Sequence, residues 1–228
     1  MRMLWIFFVL FSSSAWAYIV PVEFSFSQWT SRISSIDSLS IHASRVPQAS
    51  GMFQNESKAD IDIWIKRPNL YKRVVTEDGR SQEYILGSNR AVVVEQGQSR
   101  TASIGEVVDV ASLFFLSNKE SRMKSMAMQM GFDPSLKKMM HHELGKELLY
   151  GSNQNHGGYS FLVTEGNHQY FPQRVIDGKT TYVFVYREGQ IFPSEIKIYE
   201  RKQLKESIVV ESVTINPKLS NTLFEVRN

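Results

Sequence analysis

The last third of this chain alternates polar and apolar residues in short runs divided by tight-turn dipeptides, and few folds accept that pattern. The runs are Tyr159–Val163, Gln169–Val175, Thr180–Arg187, Ile191–Tyr199 and Ser207–Ile215, separated by Gly166-Asn167, Asp177-Gly178 and Glu188-Gly189. Gly, Asn and Asp tolerate the positive φ of two-residue hairpin turns, so the runs read as an antiparallel meander. The first third shows the same period. Leu39, Ile41 and Ala43 alternate with Ser40, His42 and Ser44. Ile61, Ile63 and Ile65 share one face, and Asp60, Asp62 and Trp64 share a solvated one. Further strands fit Leu70–Thr76, Gln82–Leu86 and Ala91–Glu95, with turns at Gly51–Ser57, Asp78-Gly79 and Gly87-Ser88-Asn89. A single long antiparallel sheet leaves one face in need of cover.

Helical cover is available in two places. Phe26, Trp29, Ile33 and Ile36 form an apolar stripe within residues 23–36. An insertion at about 107–155 opens with the apolar run Val107–Leu116, which reads as a helix. Asp133-Pro134 then looks like a helix start, and Leu136, Met140, Leu144 and Leu148 recur every four residues after it. Lys138, His142 and Lys146 fall on the other face of that helix, which Gly145 weakens. Gly151–Gly158 reads as a flexible loop. Met123, Met126, Met128, Met130, Met139 and Met140 place six of the nine methionines in eighteen residues, next to Phe114 and Phe115. Methionine adapts to varied apolar shapes, which suits a movable lid over a ligand. The same stretch fits ordinary helix packing equally well.

The N-terminus reads as an export signal. Arg2 precedes the apolar run Leu4–Phe11, too short to span a bilayer, and Ala15-Trp16-Ala17 fits a cleavage site. Residues 1–17 are the expected leader and 18–228 the expected single domain, exported to the periplasm. The chain has no cysteine, so core burial has to hold it together. The formal net charge of +3 is spread along the strands, too weak and diffuse for a nucleic-acid partner.

Between two strand-like runs lies Trp64-Ile65-Lys66-Arg67-Pro68-Asn69-Leu70-Tyr71-Lys72, followed by the Asp78-Gly79 turn. This resembles the strand–W-x-K-R-P-N-L-F/Y–strand signature of the periplasmic outer-membrane lipoprotein carriers, the LolA family. The match is sharp over residues 59–79 and looser, in element order only, over the rest. The resemblance implies an α+β fold: a strongly curved antiparallel sheet, an incomplete β-barrel, with an N-terminal helix and a helical lid insertion enclosing an apolar cavity. It implies a monomer that takes acyl chains of lipoproteins or lipids from an inner-membrane ABC transporter to an outer-membrane receptor. It also implies that Arg67 locks the lid by hydrogen-bonding its backbone. Two departures stand out. Arg80-Ser81-Gln82-Glu83 replaces the aromatic residues that usually follow the turn, and the chain stops soon after Leu223-Phe224-Glu225-Val226. The same fold also serves envelope lipid sensors that carry nothing.

No catalytic motif competes. G-x-S-x-G, the P-loop and G-x-G-x-x-G are absent. His142-Glu143-Leu144-Gly145-Lys146 resembles H-E-x-x-H but has a cation where the second zinc ligand must be. The expectation is therefore a binding protein without cofactor or metal. Its cargo cavity and lid would be lined by Ile61, Ile63, Ile65, Phe114, Phe115, Met123, Met126, Met130, Leu136, Met140 and Leu144.

Overall fold

A computed structural model describes residues 21–48, 58–87, 90–129, 133–142, 145–151, 158–162 and 170–226. The expected leader, the turns at 51–57, 88–89 and 166–167, loop residues 152–157, and the side-chain candidates Met130 and Leu144 lie outside these residues.

Helix α1 (Val22–Arg32) precedes six strands: β1 (Ser38–Pro47), β2 (Ala59–Lys66), β3 (Leu70–Glu77), β4 (Arg80–Leu86), β5 (Ala91–Glu95) and β6 (Gln98–Thr101). A helical crossing follows: α2 (Ile104–Val107), a 3-10 turn (Ser112–Phe115) and α3 (Glu120–Gln129). Seven strands then return: β7 (Asp133–His142), β8 (Gly145–Gly151), β9 (Gly158–Leu162), β10 (Pro172–Asp177), β11 (Thr180–Val185), β12 (Glu195–Glu200) and β13 (Gln203–Ile215). All join one sheet in the order β6-β5-β4-β3-β2-β1-β13-β12-β11-β10-β9-β8-β7. The two meanders meet at the antiparallel β1–β13 pair. The outer strands β6 and β7 do not pair with each other, so the barrel is open, and the helical crossing joins its two edges. The sheet is strongly curved. β3 and β11, five places apart in strand order, line the same opening. Bulges at His42/Ala43 and Ile198/Tyr199 fit this bending.

Turn chemistry follows the sequence at Asp78-Gly79. Both residues have positive φ, and Glu77 pairs with Arg80 across them, as a type I′ hairpin requires. The β12–β13 turn breaks the usual rule. Arg201 and Lys202 both hold positive φ without glycine or asparagine, so the sequence carried no sign of it. Strand β6 was likewise not anticipated, and the strand expected from Ile191 to Tyr199 begins only at Glu195, as β12. At the α1–β1 corner, Asn216 Oδ1 accepts from the Asp37 amide at 2.7 Å, and its Nδ2 donates to the Ser35 carbonyl at 2.9 Å.

Two helical expectations fail. The helix expected from Asp133 is instead the β7–β8 hairpin, with Met139 opposite Leu148 and His141 opposite Lys146. Apolar residues at four-residue spacing also fall on one strand face, since four is a multiple of two, so the spacing alone did not decide. Pro134 sits near the start of an edge strand, where its missing N–H is tolerated. The helix expected over Val107–Leu116 is broken. Val108 is extended at φ −89° and ψ 123°. Asp109 then starts a new turn, its Oδ1 accepting from the amides of Ala111 and Ser112 at 3.0 and 2.9 Å. Branched Val107, Val108 and Val110 and the backbone-bonding Asp109 favour such a break.

The core fills the concave side. Phe26 and Trp29 of α1 and Ile33 at its C-terminal cap pack with Ile41, Ile63 and Ile65 of the sheet, with Leu113–Leu116, and with Met123 and Ala127 of α3. The Trp29 ring meets Phe115 and Phe171 edge-on at 5.3 and 5.2 Å. Trp29→Ala should therefore destabilise the protein by about 3–5 kcal/mol in urea unfolding, and Trp29→Phe by much less. A loss under about 1 kcal/mol for the alanine variant would show that this cluster does not hold the crossing to the sheet.

Candidate functional site

The crossing drives a short apolar segment into the concave face of the sheet. Leu113, Phe114, Phe115 and Leu116 are all fully buried there. A 3-10 turn leaves terminal carbonyls without partners in the turn, and a buried site must supply them from elsewhere. Trp29 Nε1 donates to the Phe114 carbonyl at 2.8 Å. Arg67 Nε donates to the Phe115 carbonyl at 3.0 Å. Arg67 Nη1 donates to the Ile33 carbonyl, at the C-terminal cap of α1, at 2.7 Å. One planar guanidinium therefore ties two helical ends to the end of β2. Burial pulls the Arg67 pKa down to about 10, opposed by nearby Asp37, so the group remains a cation at neutral pH.

Three further contacts anchor the cover. Tyr71 Oη donates to Asp109 Oδ2 at 2.7 Å. Burial first, and Asp109 second, push the Tyr71 hydroxyl well above its ordinary pKa, so it stays a donor. Ser25 Oγ and Tyr150 Oη share a buried hydrogen bond of 2.9 Å between α1 and β8. Lys124 of α3 pairs with Glu23 of α1.

The structure brings together much of the expected lining. Ile61, Ile63 and Ile65 are buried on the β2 face that carries the core, and Phe114, Phe115, Met123 and Met126 are buried over the same core. Met128 points away and is exposed. Leu136 and Met140 lie in strand β7, where a helix was expected, and Met140 is in register with Glu147. His141 and His142 end that strand, paired with Lys146 and Gly145, so both described ends of the H-E-x-x-x segment lie in strands and not on a helix. The space expected to be a cavity is occupied by the crossing's own phenylalanines, together with Phe26, Trp29, Phe171, Phe184 and Phe192.

Openings lie around this plug. A groove of about 620 Å³ runs between α3 and the β4–β5 edge. Leu86, Ala91, Ala102, Ile104 and Met126 line it together with Arg90 and Arg122. A second opening, of about 280 Å³, lies beside the α2–turn linker and includes Arg73, Asp109, Asp177 and Tyr182.

Sequence reasoning missed Trp29 as a plug-holding donor, Tyr71–Asp109 as a tether, and Arg73 altogether. A signal existed for Arg73. It shares a strand face with Tyr71 and Val75, two residues to either side, and pairs with Ile63, which places it on the apolar face.

No protein-family model and no curated protein matches this sequence. Solved structures do match in fold. An outer-membrane lipoprotein-sorting protein domain from Vibrio parahaemolyticus superposes with a TM-score of 0.55 at 6% identity, covering 89% of this chain and 95% of its own. A LolA superfamily protein from Nitrosomonas europaea gives 0.55 at 11% identity, over 90% and 98%. A DUF1329 family protein from Desulfovibrio piger gives 0.53 at 9% identity, over 90% and 97%. The chain has a LolA-like fold.

If Tyr71 tethers the crossing, Tyr71→Phe should cost about 1–3 kcal/mol, because Asp109 loses a buried donor. Hydrogen exchange should quicken at Val107–Phe115 while the β11 amides keep their protection. Uniform loss of protection across both segments would mean that the bond supports the whole sheet and not the crossing.

Proposed function

We propose that this protein is a periplasmic, ATP-independent chaperone that binds the acyl chains of lipoproteins or lipids and carries them towards the outer membrane. The observation that carries the reading is the plug. An apolar concave face is filled by a short segment held at its carbonyls by Arg67 and Trp29. Each hydrogen bond from the charged Arg67 is worth about 1.5–3 kcal/mol. Each methylene of an acyl chain gains roughly 0.8 kcal/mol on burial. A few buried methylenes therefore match the lock, and the two can exchange without a chemical energy source. Met123 and Met126 border the space the chain would take, and their soft side chains can repack around it.

The fold supports this reading, because one structure sharing it is described as sorting outer-membrane lipoproteins and another as a LolA superfamily protein. On the same reading the protein acts as a monomer after removal of residues 1–17, loaded by an inner-membrane ABC transporter and unloaded by an outer-membrane receptor. Among the described residues no helix is long and apolar enough to cross a membrane. The chemistry proposed is binding, without catalysis, cofactor or metal.

Release depends on the plug returning, so Arg67 decides it. Arg67→Leu should fold and accept acylated cargo, yet transfer to acceptor membranes should slow at least tenfold. Arg67→Lys should be intermediate, since a point charge cannot bridge two carbonyls as a planar fork does. Transfer is measured from purified loaded protein, beside thermal unfolding. Normal transfer by folded Arg67→Leu removes Arg67 from the mechanism. Tight cargo binding with no transfer by the wild-type protein, even with receptor present, would make it a lipid sensor instead.

A further inference from the structure

Arg73 is a cation on the wrong face of the sheet. It sits on β3 between Ile63 of β2 and Tyr84 of β4, in the row that includes fully buried Tyr71. Its guanidinium lies over the Tyr84 ring, 4.1 Å from the centroid. Its Nε has no solvent contact and no hydrogen-bond acceptor among the described residues. No carboxylate among them forms an ion pair with it. The nearby Asp109 is committed elsewhere, to the Tyr71 hydroxyl and to the amides of Ala111 and Ser112. Arg73 is half-buried; burial disfavours its charge, but Tyr71 and Asp109 beside it more than offset that and raise its pKa, so it is a firm cation whose Nε alone lacks an acceptor.

The guanidinium borders the opening of about 280 Å³. Its walls are Val108, Val110, Ile196 and Ile208, and Tyr182 borders it from the far side of the curl. Two more carboxylates line it. Glu106 is paired with Arg100, whereas Asp177 is exposed at the end of β10. A planar cation inside, apolar walls, and an exposed anion form the complement of a head group with an oxyanion next to its chains and an ammonium further out.

We propose that this opening receives the head group of a zwitterionic phosphodiester lipid, with its phosphate on Arg73 and its ammonium at Asp177. The proposal rests on the concave face taking acyl chains. It adds a polar end to that site, at the linker between α2 and the 3-10 turn. An acyl chain in the plug's place and a phosphate on Arg73 would then displace the same linker from both ends.

The test is calorimetry with short-chain probes below their micelle concentration: dihexanoyl-glycerophosphoethanolamine, dihexanoyl-glycerophosphoglycerol and uncharged dihexanoylglycerol. The wild-type protein should bind the phosphoethanolamine at least tenfold more tightly than the uncharged probe. Arg73→Met should erase that margin and leave dihexanoylglycerol binding unchanged. Asp177→Asn, at an exposed position that should not disturb folding, should reduce the phosphoethanolamine to the level of the phosphoglycerol. Arg73→Met retaining the full margin would overturn the role of Arg73. Wild-type protein binding both phosphodiesters equally would overturn the role of Asp177. Normal dihexanoylglycerol binding without any head-group preference would sink this inference alone, whereas no binding of any probe would sink the acyl-chain reading with it.

Discussion

The closed arrangement depends on who satisfies the carbonyls of Phe114 and Phe115. A four-residue 3-10 turn cannot satisfy its own ends, and this one is buried against the apolar face of the sheet. Trp29 and Arg67 supply the missing donors. Both donors come from other elements, α1 and the end of β2, so the turn is held only while those elements are in place. The same guanidinium takes the carbonyl at the end of α1. Helix, turn and strand end thus share one donor group, and moving the turn would leave the Phe114 and Phe115 carbonyls, Trp29 Nε1 and Arg67 Nε without these partners.

Topology explains why a segment of this kind exists. The sheet has two free edges, β6 and β7, which are consecutive strands in the sequence. The chain must therefore cross from one edge of the open barrel to the other. That crossing is the natural cover of the concave face, and its sequence supplies the apolar cluster Leu113–Leu116 for the purpose. An edge strand that continued directly into its neighbour would close the barrel and leave no separate segment over the concave face.

The concave face is divided by polarity. Near α1 and α3 it is aromatic, with Trp29, Phe115, Phe171 and Phe192 in mutual contact. Towards the hairpin turns it carries Arg73, Tyr182 and the Arg45 pairs with Glu77 and Glu206. An amphiphile has the same division, and the linker around Asp109 sits at the boundary.

The strand pattern was legible in the sequence because period-two alternation and Asp-Gly turns are local. Ile61, Ile63 and Ile65 announce a buried face whatever they pack against. The motif around Arg67 was legible for the same reason, and so was the stripe of Phe26, Trp29 and Ile33. The β7–β8 hairpin was not legible. Apolar residues every four positions, as at Leu136, Met140 and Leu148, suit a helix and a strand face alike, and the pairing of β7 with β8 and of β8 with β9 decided in favour of the strand. Nor could the sequence say what fills the concave face. The chain itself fills it with Phe114 and Phe115, a result of curvature that brings β3 opposite β11. The unpaired Arg73 Nε likewise emerges only from the tertiary structure. Its alternation placed it on the inner face, but whether a carboxylate would meet it depended on where Asp109 turned its oxygens. Local propensity sets the elements, and contacts far apart in sequence set which polar groups are left wanting a partner.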